Sequence, residues 1–410
     1  MENKNCYFIL IFLLTILFNG CSAIFGNKKD TQTDQIFVQG AIDPNLVPNA
    51  VGYVPIFPFF NNFSHPVDVI VGYDEMVYVV DDNGLNILDQ KGTHYATIPI
   101  LGATDVTQDR RLDIYVAGRI NHPTLGNRAA IYHLTNTATG NYQFVDTLIH
   151  PFCDDSRTST GDRGADDAAV QFTGLATLAD NTLYISRTGP RNDLTSFIRP
   201  DNAILVYNQS GNNMGYALGL TPTTSSLKSV MGVSSIATLA GPPQRVNGIS
   251  TSKDFFLTQA SSDPSVEYRF LRITVKDDPD LGTVYNETST YLNFDKSKAE
   301  RFQYESFRFK KPEDCFVAPD NLQYSFVVDS GTDSLYVFTN QGFEGVNPPA
   351  NSIFKKQVIV SFGGAGSDGT SSGPFSFNDP CGVCYNKRMI YVADKNNNRI
   401  CRYKLSVDMQ

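Results

Sequence analysis

The chain has 410 residues, of which 41% are hydrophobic and 18% are charged, a balance typical of a folded globular protein rather than a disordered one. The formal net charge of −9 argues against a nucleic-acid-binding protein, because such a protein needs a basic surface that displaces counterions from the phosphate backbone. Patterns with a helical period are scarce, whereas Gly, Pro, Asn and Asp recur at short intervals. This distribution predicts an all-β fold.

The N-terminus is predicted to be a targeting segment. Lys4 precedes an apolar run, Tyr7 to Phe18, which has the length of a secretory signal and is short for a membrane-spanning helix. The run ends at Cys21, and residues 18–21 (FNGC) resemble a bacterial lipobox, in which the cysteine becomes the lipidated first residue of the mature chain. Phe18 departs from the Leu that the motif usually has at this position. The alternative is an ordinary signal peptide with an incidental cysteine.

The domain boundaries follow from this segment. We expect residues 1–20 to be a lipoprotein signal peptide, residues 21–35 to be the lipidated Cys21 and a flexible polar tether, and residues 36–410 to be the folded domain. Two or more acyl chains anchor a protein stably. The resemblance therefore implies a lipid-anchored protein of the bacterial cell envelope, with the outer membrane as the expected membrane.

Six sequence units with the same order of elements follow one another along the domain. Each has a first strand, a short turn, a second strand, a polar turn and a third strand. The first two units start about 37 residues apart and the others about 65 to 74, whereas a four-stranded propeller blade needs ~40–45 residues, so most units carry insertions. The units begin near Pro66, Ala103, Thr173, Asn247, Pro312 and Pro380.

The last unit has the clearest pattern. Residues 391–403 read YVADKNNNRICRY, which resembles the signature of NHL repeats: Tyr-Val-Ala-Asp, a polar turn with Asn-Arg, and an apolar strand. The Gly-rich stretch before it, residues 362–383, resembles the linker between blades in that family. The resemblance implies an all-β, six-bladed β-propeller, which agrees with the six units counted independently.

The last unit lacks a fourth strand, because few residues remain after Tyr403. An open sheet edge would expose unpaired backbone N–H and C=O groups. The segment Ala50 to Phe60 alternates like a strand, and its prolines are tolerable at an outer edge. We expect this N-terminal strand to pair with the last blade and close the ring. The alternative is an apolar extension that packs on one face of the ring.

The first strands of the units should line the central channel of a propeller. Alignment of the units places six residues in one ring: Asp68, Asp105, Gly174, Gly248, Asp314 and Gly382. Carboxylates at the channel mouth could hold Ca²⁺, which takes 6–8 oxygen ligands, and the candidate ligands are Asp68, Asp105, Asn247, Glu313 and Asp314. We favour the alternative, in which each Asp accepts hydrogen bonds from nearby backbone N–H groups and stays solvated, so that no cofactor is bound.

An acidic loop, Cys153 to Asp167, also suggests calcium, but it lacks the regular spacing of a compact calcium loop. Arg157 and Arg163 lie among its carboxylates and would offset their charge. We interpret it as a linker between the second and third blades.

Cysteines and histidines narrow the possible chemistry. The five cysteines after the anchor are odd in number and irregularly spaced, so they imply no disulfide framework. Cys381 and Cys384 lie three residues apart on a predicted strand, which points them to opposite faces and favours buried apolar roles. No histidine follows His150. This excludes the axial zinc site of the amidating lyases that resemble NHL propellers, and the late histidine of the streptogramin lyases.

These observations favour a binding or scaffold module for a protein, peptide or glycan ligand, in which loops carry the function. The longest predicted insertions are Gly189 to Pro200, Leu220 to Pro243 and Asp277 to Ser306. The segment Tyr291 to Phe309 alternates aromatic and charged residues, which suits either a fourth strand or a ligand-facing edge, and we favour the strand. The alternative function is a cation-dependent hydrolase, lactonase or lyase that uses the carboxylates at the channel mouth.

Overall fold

The protein is a six-bladed β-propeller. A computed structural model describes residues 51–136, 141–157, 161–221, 227–240, 250–287, 299–348, 356–364 and 371–409. Six four-stranded antiparallel sheets stand in a ring, and the innermost strand of each sheet contacts the innermost strands of its two neighbours. The all-β, six-bladed prediction is therefore confirmed. The propeller is one compact unit; of a second unit, the structure describes only Ile56–Pro58, which form no strand.

The strands follow one another around the ring. They are β1 (Tyr53–Pro55), β2 (Asp68–Val71), β3 (Val77–Asp81), β4 (Gly84–Leu88), β5 (His94–Ile98), β6 (Asp105–Gln108), β7 (Ile114–His122), β8 (Gly126–Asn136), β9 (Tyr142–Ile149), β10 (Gln171–Thr177), β11 (Leu183–Thr188), β12 (Ala203–Tyr207), β13 (Asn213–Tyr216), β14 (Val233–Thr238), β15 (Phe255–Gln259), β16 (Phe270–Asp278), β17 (Gly282–Glu287), β18 (Pro312–Val317), β19 (Ser325–Asp329), β20 (Ser334–Phe338), β21 (Phe362–Gly363), β22 (Pro380–Asn386), β23 (Met389–Asp394) and β24 (Arg399–Leu405). A short helix, α1 (Ala165–Ala169), precedes β10.

Blades 1 to 5 are the consecutive sets β2–β5, β6–β9, β10–β13, β14–β17 and β18–β21, and blade 6 combines β22–β24 with β1. We call the face at which the inner strands begin the upper face, and the face at which they end the lower face. The turn between the second and third strands of each blade, and the connection to the next blade, then lie at the upper face.

Burial explains why the strands read as continuous apolar runs. Every residue of β3 and β15 is buried, because each is covered by neighbouring blades on both sides. The outer strand β5 is exposed or half-buried at all positions. The hydrophobic core therefore lies between blades rather than in one central cluster, and the hydrophobic effect stabilises the ring interface by interface.

The NHL-like motif in blade 6 ties the blade to the chain that precedes it. Asp394, at the end of β23, accepts a hydrogen bond from the backbone N–H of Asn378 at 2.8 Å and pairs with Arg399 Nε at 2.7 Å. Arg399 also donates to the backbone carbonyls of Gly373 and Ser376 in the connection from blade 5. The polar turn of the motif therefore holds the Gly-rich connection against its own blade.

The same position ties down the chain in other blades. Asp81 in blade 1 accepts from the backbone N–H of Ser64, and Asp329 in blade 5 accepts from the N–H groups of Lys310 and Lys311. The recurring Val-Asp at the end of the second strand is thus a structural device, since it satisfies backbone donors that would otherwise be unpaired.

The ring closes through the N-terminal strand. β1 pairs antiparallel with β24, with Tyr53 opposite Leu405 and Pro55 opposite Tyr403. Beyond β1, Phe60 and Ile400 exchange two backbone hydrogen bonds of 3.0 and 2.8 Å. The predicted closing strand is therefore confirmed, and it covers the open edge of blade 6.

The predicted start of the fourth unit is wrong. Its inner strand is β14, and Ser235 pairs with Thr258 at the rung that Asp68 occupies in blade 1. The predicted insertion Leu220 to Pro243 therefore contains a strand of the ring. The position of this strand was predicted wrongly because Ser234 and Ser235 stand where the other units have acidic or glycine residues that mark the inner strand.

The predicted fourth strand at Tyr291 to Phe309 is also wrong over its described part. Residues 299–309 form no strand, and Phe302 makes one isolated bridge to Phe343. The fourth strand of blade 4 is β17, which lies inside the predicted insertion Asp277 to Ser306. The alternating aromatic residues of this segment pack against one another and against blade 5, since Phe302 also contacts the ring of Tyr304.

The described residues also bear on the predictions about membrane segments and cysteines. No helix in the described part of the chain is long and apolar enough to cross a membrane. The signal segment and Cys21 lie outside the described residues. The five described cysteines are free thiols.

Ring closure can be tested by truncation. A chain that begins at residue 61 should melt roughly 5–10 °C below a chain that begins at residue 36, because it loses the buried side chains of Tyr53, Val54 and Phe60, each worth about 1.5–3 kcal/mol. It should also aggregate, since β24 becomes an open edge. Circular dichroism melting and light scattering measure both effects. Equal melting temperatures would contradict the closing role of β1.

Candidate functional site

The central channel is the first place to look for chemistry, because the inner strands of all blades converge there. Strand register places six residues on equivalent rungs: Asp68, Asp105, Gly174, Ser235, Asp314 and Gly382. The sequence alignment is therefore right in five blades. In blade 4, Ser235 takes the place assigned to Gly248, and Asn247 lies outside the described residues.

Each ring aspartate forms a hydrogen bond with the backbone of the next blade. Its carboxylate accepts a hydrogen bond from a backbone N–H of the following inner strand, from Val106 to Asp68 at 2.9 Å, from Leu175 to Asp105 at 2.9 Å, and from Val383 to Asp314 at 2.6 Å. Asp68 and Asp314 also accept from the N–H of the residue that follows each of them, at 2.7 Å. The favoured alternative is therefore right that these aspartates serve backbone donors, but wrong that they stay solvated, because all three are buried between the inner strands.

The other three interfaces between blades are bridged in related ways. Thr173 donates to the carbonyl of Val233 at 2.6 Å, Ser234 donates to the carbonyl of Pro312 at 2.6 Å, and Cys384 Sγ accepts from the N–H of Val71 at 3.2 Å. Blade 6 carries Gly382 in the ring because the blades meet closely there: a Cβ would lie 2.6 Å from the Cα of Asp68. Every interface thus has a side-chain bridge near the axis.

Burial sets the charge of the three aspartates. Desolvation raises the pKa of Asp68 to about 6, against the opposing effect of its two backbone donors. Desolvation also raises the pKa values of Asp105 and Asp314 well above the usual range, and repulsion from Asp68 adds to both shifts. These carboxyls therefore gain and lose protons at higher pH than ordinary aspartates do.

The channel itself has little room. The cavity beside the three aspartates has a volume of about 40 Å³, which holds roughly two or three water molecules. Tyr73, just after β2, reaches across to blade 4 and donates to the carbonyl of Ala240, just after β14, at 2.6 Å. The backbone N–H of Tyr73 donates to the side-chain oxygen of Gln108. Sequence reasoning missed this crossing, since nothing in the local pattern marks it. As the described residues line it, this cavity can hold water or an ion but no organic substrate.

Glu313 is separated from the channel aspartates. Its carboxylate lies with Asp379 and Cys381, and in the part of the chain that the structure describes this is the one group of three such ligands within 4.8 Å of one another. Lys311 pairs with Glu313, and Lys395 lies 3.2 Å from Asp379. Burial raises the pKa of the Cys381 thiol, so it stays protonated and is a poor metal ligand. Two ammonium groups thus balance the carboxylates here.

The acidic loop is held by buried ion pairs. Asp154 lies 2.6 Å from Arg187 and 3.2 Å from Arg199, and Asp167 lies 2.7 Å from Arg157 and 3.0 Å from His150. Burial favours a raised pKa at Asp154, but Arg187 outweighs it and the pKa is lowered. Arginines therefore take the carboxylates that the calcium interpretation would need, and the loop is a rigid linker between blades 2 and 3.

This linker supports an exposed aromatic surface on the upper face. Phe152, which precedes the linker, is 60% exposed, and Phe197, in the predicted loop Gly189 to Pro200, is 82% exposed. The base of that loop is fixed, since Asp201 binds the backbone N–H of Arg191 and Arg187 binds the carbonyl of Pro200. We call Phe152 and Phe197 the aromatic pair. Sequence analysis singled out the loop of Phe197 but missed Phe152.

The role of Asp105 can be tested by pH. Because its folded pKa is raised, the stability contribution of the carboxyl is full below its ordinary pKa and is lost as pH rises through the folded value. Asp105→Asn keeps an acceptor for Leu175 and removes the charge, so it should melt above the wild type at pH 8 and show a flatter profile between pH 4 and 8. Thermal melts across that range measure this.

Asp105→Ala is the matched control. It leaves the N–H of Leu175 without an acceptor, which costs about 1–3 kcal/mol, so it should melt below the wild type at every pH. If Asp105→Asn loses as much stability at pH 8 as Asp105→Ala does, the negative charge is needed, as it would be for a bound cation.

The linker can be tested through its buried pair. Arg187→Met leaves Asp154 buried with one fewer cation and should cost about 3–5 kcal/mol in the free energy of unfolding. Arg191→Met breaks an exposed pair with Asp166 and should cost about 0–1 kcal/mol. Urea unfolding of both variants, with and without EDTA, provides the measurement. A loss of stability on adding EDTA to the wild type would show that a metal holds the loop instead.

Comparison with known proteins finds the fold but no relative in sequence. No known family and no curated protein matches the chain. An auxiliary nutrient binding protein from Bacteroides thetaiotaomicron has a similar structure, with a TM-score of 0.51 and 13% identity over 89% of this chain and 74% of that one. An auxiliary nutrient binding protein from Bacteroides ovatus scores 0.49 at 13% identity, covering 89% and 75%. A gluconolactonase from Xanthomonas campestris scores 0.47 at 8% identity, covering 87% and 90%. At these identities the likeness shows the fold alone.

Proposed function

We propose that the chain is a lipid-anchored module of the bacterial cell envelope that binds a protein, peptide or glycan ligand with its upper face. The observation that carries the proposal is the aromatic pair, Phe152 and Phe197, exposed on a base that buried ion pairs hold rigid. An exposed aromatic side chain on a fixed base loses little conformational entropy on binding and offers a large contact area.

The surroundings of the pair fit a recognition surface. Phe152 packs edge-on against His122 at the tip of the β7–β8 hairpin, whose strands have 9 and 11 residues. Leu194 is also exposed in the loop of Phe197. Apolar groups that are held in place among polar loops are typical of binding hot spots.

The path of the chain suits an anchor opposite this surface. β1 begins at the lower face, where Gly52 accepts a hydrogen bond from the N–H of Ser406. The chain that precedes β1 therefore enters the propeller at the lower face, opposite the loops that carry the aromatic pair. The lipobox-like residues 18–21 and the NHL-like motif support this proposal. The Bacteroides thetaiotaomicron protein described as an auxiliary nutrient binding protein has the same fold, and the proposed role is of the same general kind.

The alternative function, a cation-dependent hydrolase, lactonase or lyase, gains no support from the described residues. Its proposed ligands are divided, since Asp68, Asp105 and Asp314 serve backbone donors and Glu313 lies with Asp379. The small channel cavity also leaves no space for an organic substrate beside them.

Binding can be tested with surface variants. The double substitution F152S/F197S should reduce capture of the ligand from solubilised bacterial envelopes by at least tenfold, while the melting temperature stays within about 2 °C because both side chains are exposed. Tyr95→Ser, on the exposed outer strand of blade 1, is the matched control and should capture normally. Capture that the double variant retains in full would contradict the assignment of the upper face.

Anchoring can be tested independently. Cys21→Ala should leave the domain folded and release it from the membrane fraction, because the acyl chains attach at that thiol. Fractionation followed by immunoblotting measures the distribution. Sedimentation of the variant with membranes after a salt wash would contradict the lipid anchor.

A further inference from the structure

A second pocket lies far from the aromatic pair, between the outer halves of blades 2 and 3 at the lower face. Its volume is about 300 Å³, which is at the lower end of the range for small-molecule sites. Strands β7, β8 and β9 form one wall, and β11, β12 and the turn at residues 208–211 form the other. We call it the interblade pocket.

The floor of the interblade pocket is apolar. Ile131, Leu148, Leu183 and Tyr207 line it, and all except Leu148 are fully buried. The side wall carries an aromatic surface, since Tyr115 stacks on His133 with ring centroids 4.7 Å apart and an angle of 15°. Such a floor favours a ligand with an apolar part.

The mouth of the interblade pocket has an excess of hydrogen-bond acceptors. The carboxylate of Asp113 is half-buried, and no described residue donates a hydrogen bond to it: His133 Nε2 lies 3.4 Å away and Arg111 Nε lies 3.6 Å away. Asp146, at the rim, contacts His133 Nδ1 at 3.1 Å. Two carboxylates therefore share one imidazole.

The nearby arginine does not cancel this charge. Arg111 donates from Nε and Nη2 to the fully buried Asp109 at 3.0 and 2.9 Å, and from Nη1 to the carbonyl of Gln209 at 2.8 Å. These hydrogen bonds hold the guanidinium group of Arg111 against the side of the pocket. The pocket is left with a negative mouth above an apolar floor, which disfavours anions and favours a cation with an apolar part.

We propose that the interblade pocket binds a small organic cation, a primary ammonium group joined to an apolar tail. The ammonium donates to the carboxylates of Asp113 and Asp146, and the tail lies on Ile131, Leu148 and Leu183. The site is independent of the upper-face binding function, because its residues lie on the opposite face of blades 2 and 3.

Three probes of matched shape test the proposal: benzylamine, benzyl alcohol and benzoate. Isothermal titration and amide chemical-shift mapping on the chain from residue 36 to 410 should detect benzylamine with a Kd of about 1 mM or tighter. Benzyl alcohol should bind at least tenfold more weakly, and benzoate should not bind. Shifts should concentrate at Tyr115, Asn181 and Gly211, which line the pocket.

Variants complete the test. Asp113→Asn replaces the carboxylate with an uncharged amide of the same size and should weaken benzylamine binding at least tenfold. Asp166→Asn, at an acidic residue of the upper face, should leave the affinity unchanged. Both should melt like the wild type. Benzyl alcohol binding as tightly as benzylamine, shifts at other residues, or an unchanged affinity in Asp113→Asn would each overturn the proposal.

Discussion

Hydrogen bonds from inner-strand side chains to the backbone of the next blade hold the ring together near its axis. Asp68, Asp105 and Asp314 accept from N–H groups across three interfaces, and hydroxyl or thiol groups bridge the others. Inner strands expose backbone groups to a channel with little water, so these groups need partners. Where two blades meet too closely for a side chain, as at Gly382 beside Asp68, the ring position is glycine. The acidic ring is thus explained by the needs of the backbone, at the cost of raised carboxyl pKa values.

The bridged ring gives the proposed recognition loops a fixed base. In the linker between blades 2 and 3, carboxylates that could have bound a metal form buried ion pairs instead: Asp154 pairs with Arg187, and Asp167 pairs with Arg157. Buried pairs of this kind contribute little net stability, but they fix the geometry of what they join. Here they hold the described chain next to Phe152 and at the base of the loop that carries Phe197.

The sequence predicted the fold because the signal repeats. Period-two patterns and turn residues recur six times, which predicted the number of blades. The last unit lacked a fourth strand and the apolar segment that ends at Phe60 had no other partner, which predicted how the ring closes. The prediction of the inner strand of blade 4 failed at Ser234 and Ser235, because small polar residues carry no strand or turn signal of their own. The channel aspartates were found by alignment, and their role as backbone acceptors was the favoured interpretation. Tyr73 and the interblade pocket could not be predicted, because each joins residues of two different blades in contacts that no local pattern encodes.

The central claim is that the ring aspartates are acceptors for the neighbouring blades and need no metal to take up this position. Hydrogen exchange at the amides of Val106, Leu175 and Val383, measured in EDTA and again in excess Ca²⁺, tests it most directly, because these N–H groups are the ones that the carboxylates bind. The account predicts slow exchange at all three amides with the same rates in both conditions. Fast exchange in EDTA that becomes slow only when Ca²⁺ is added would contradict it.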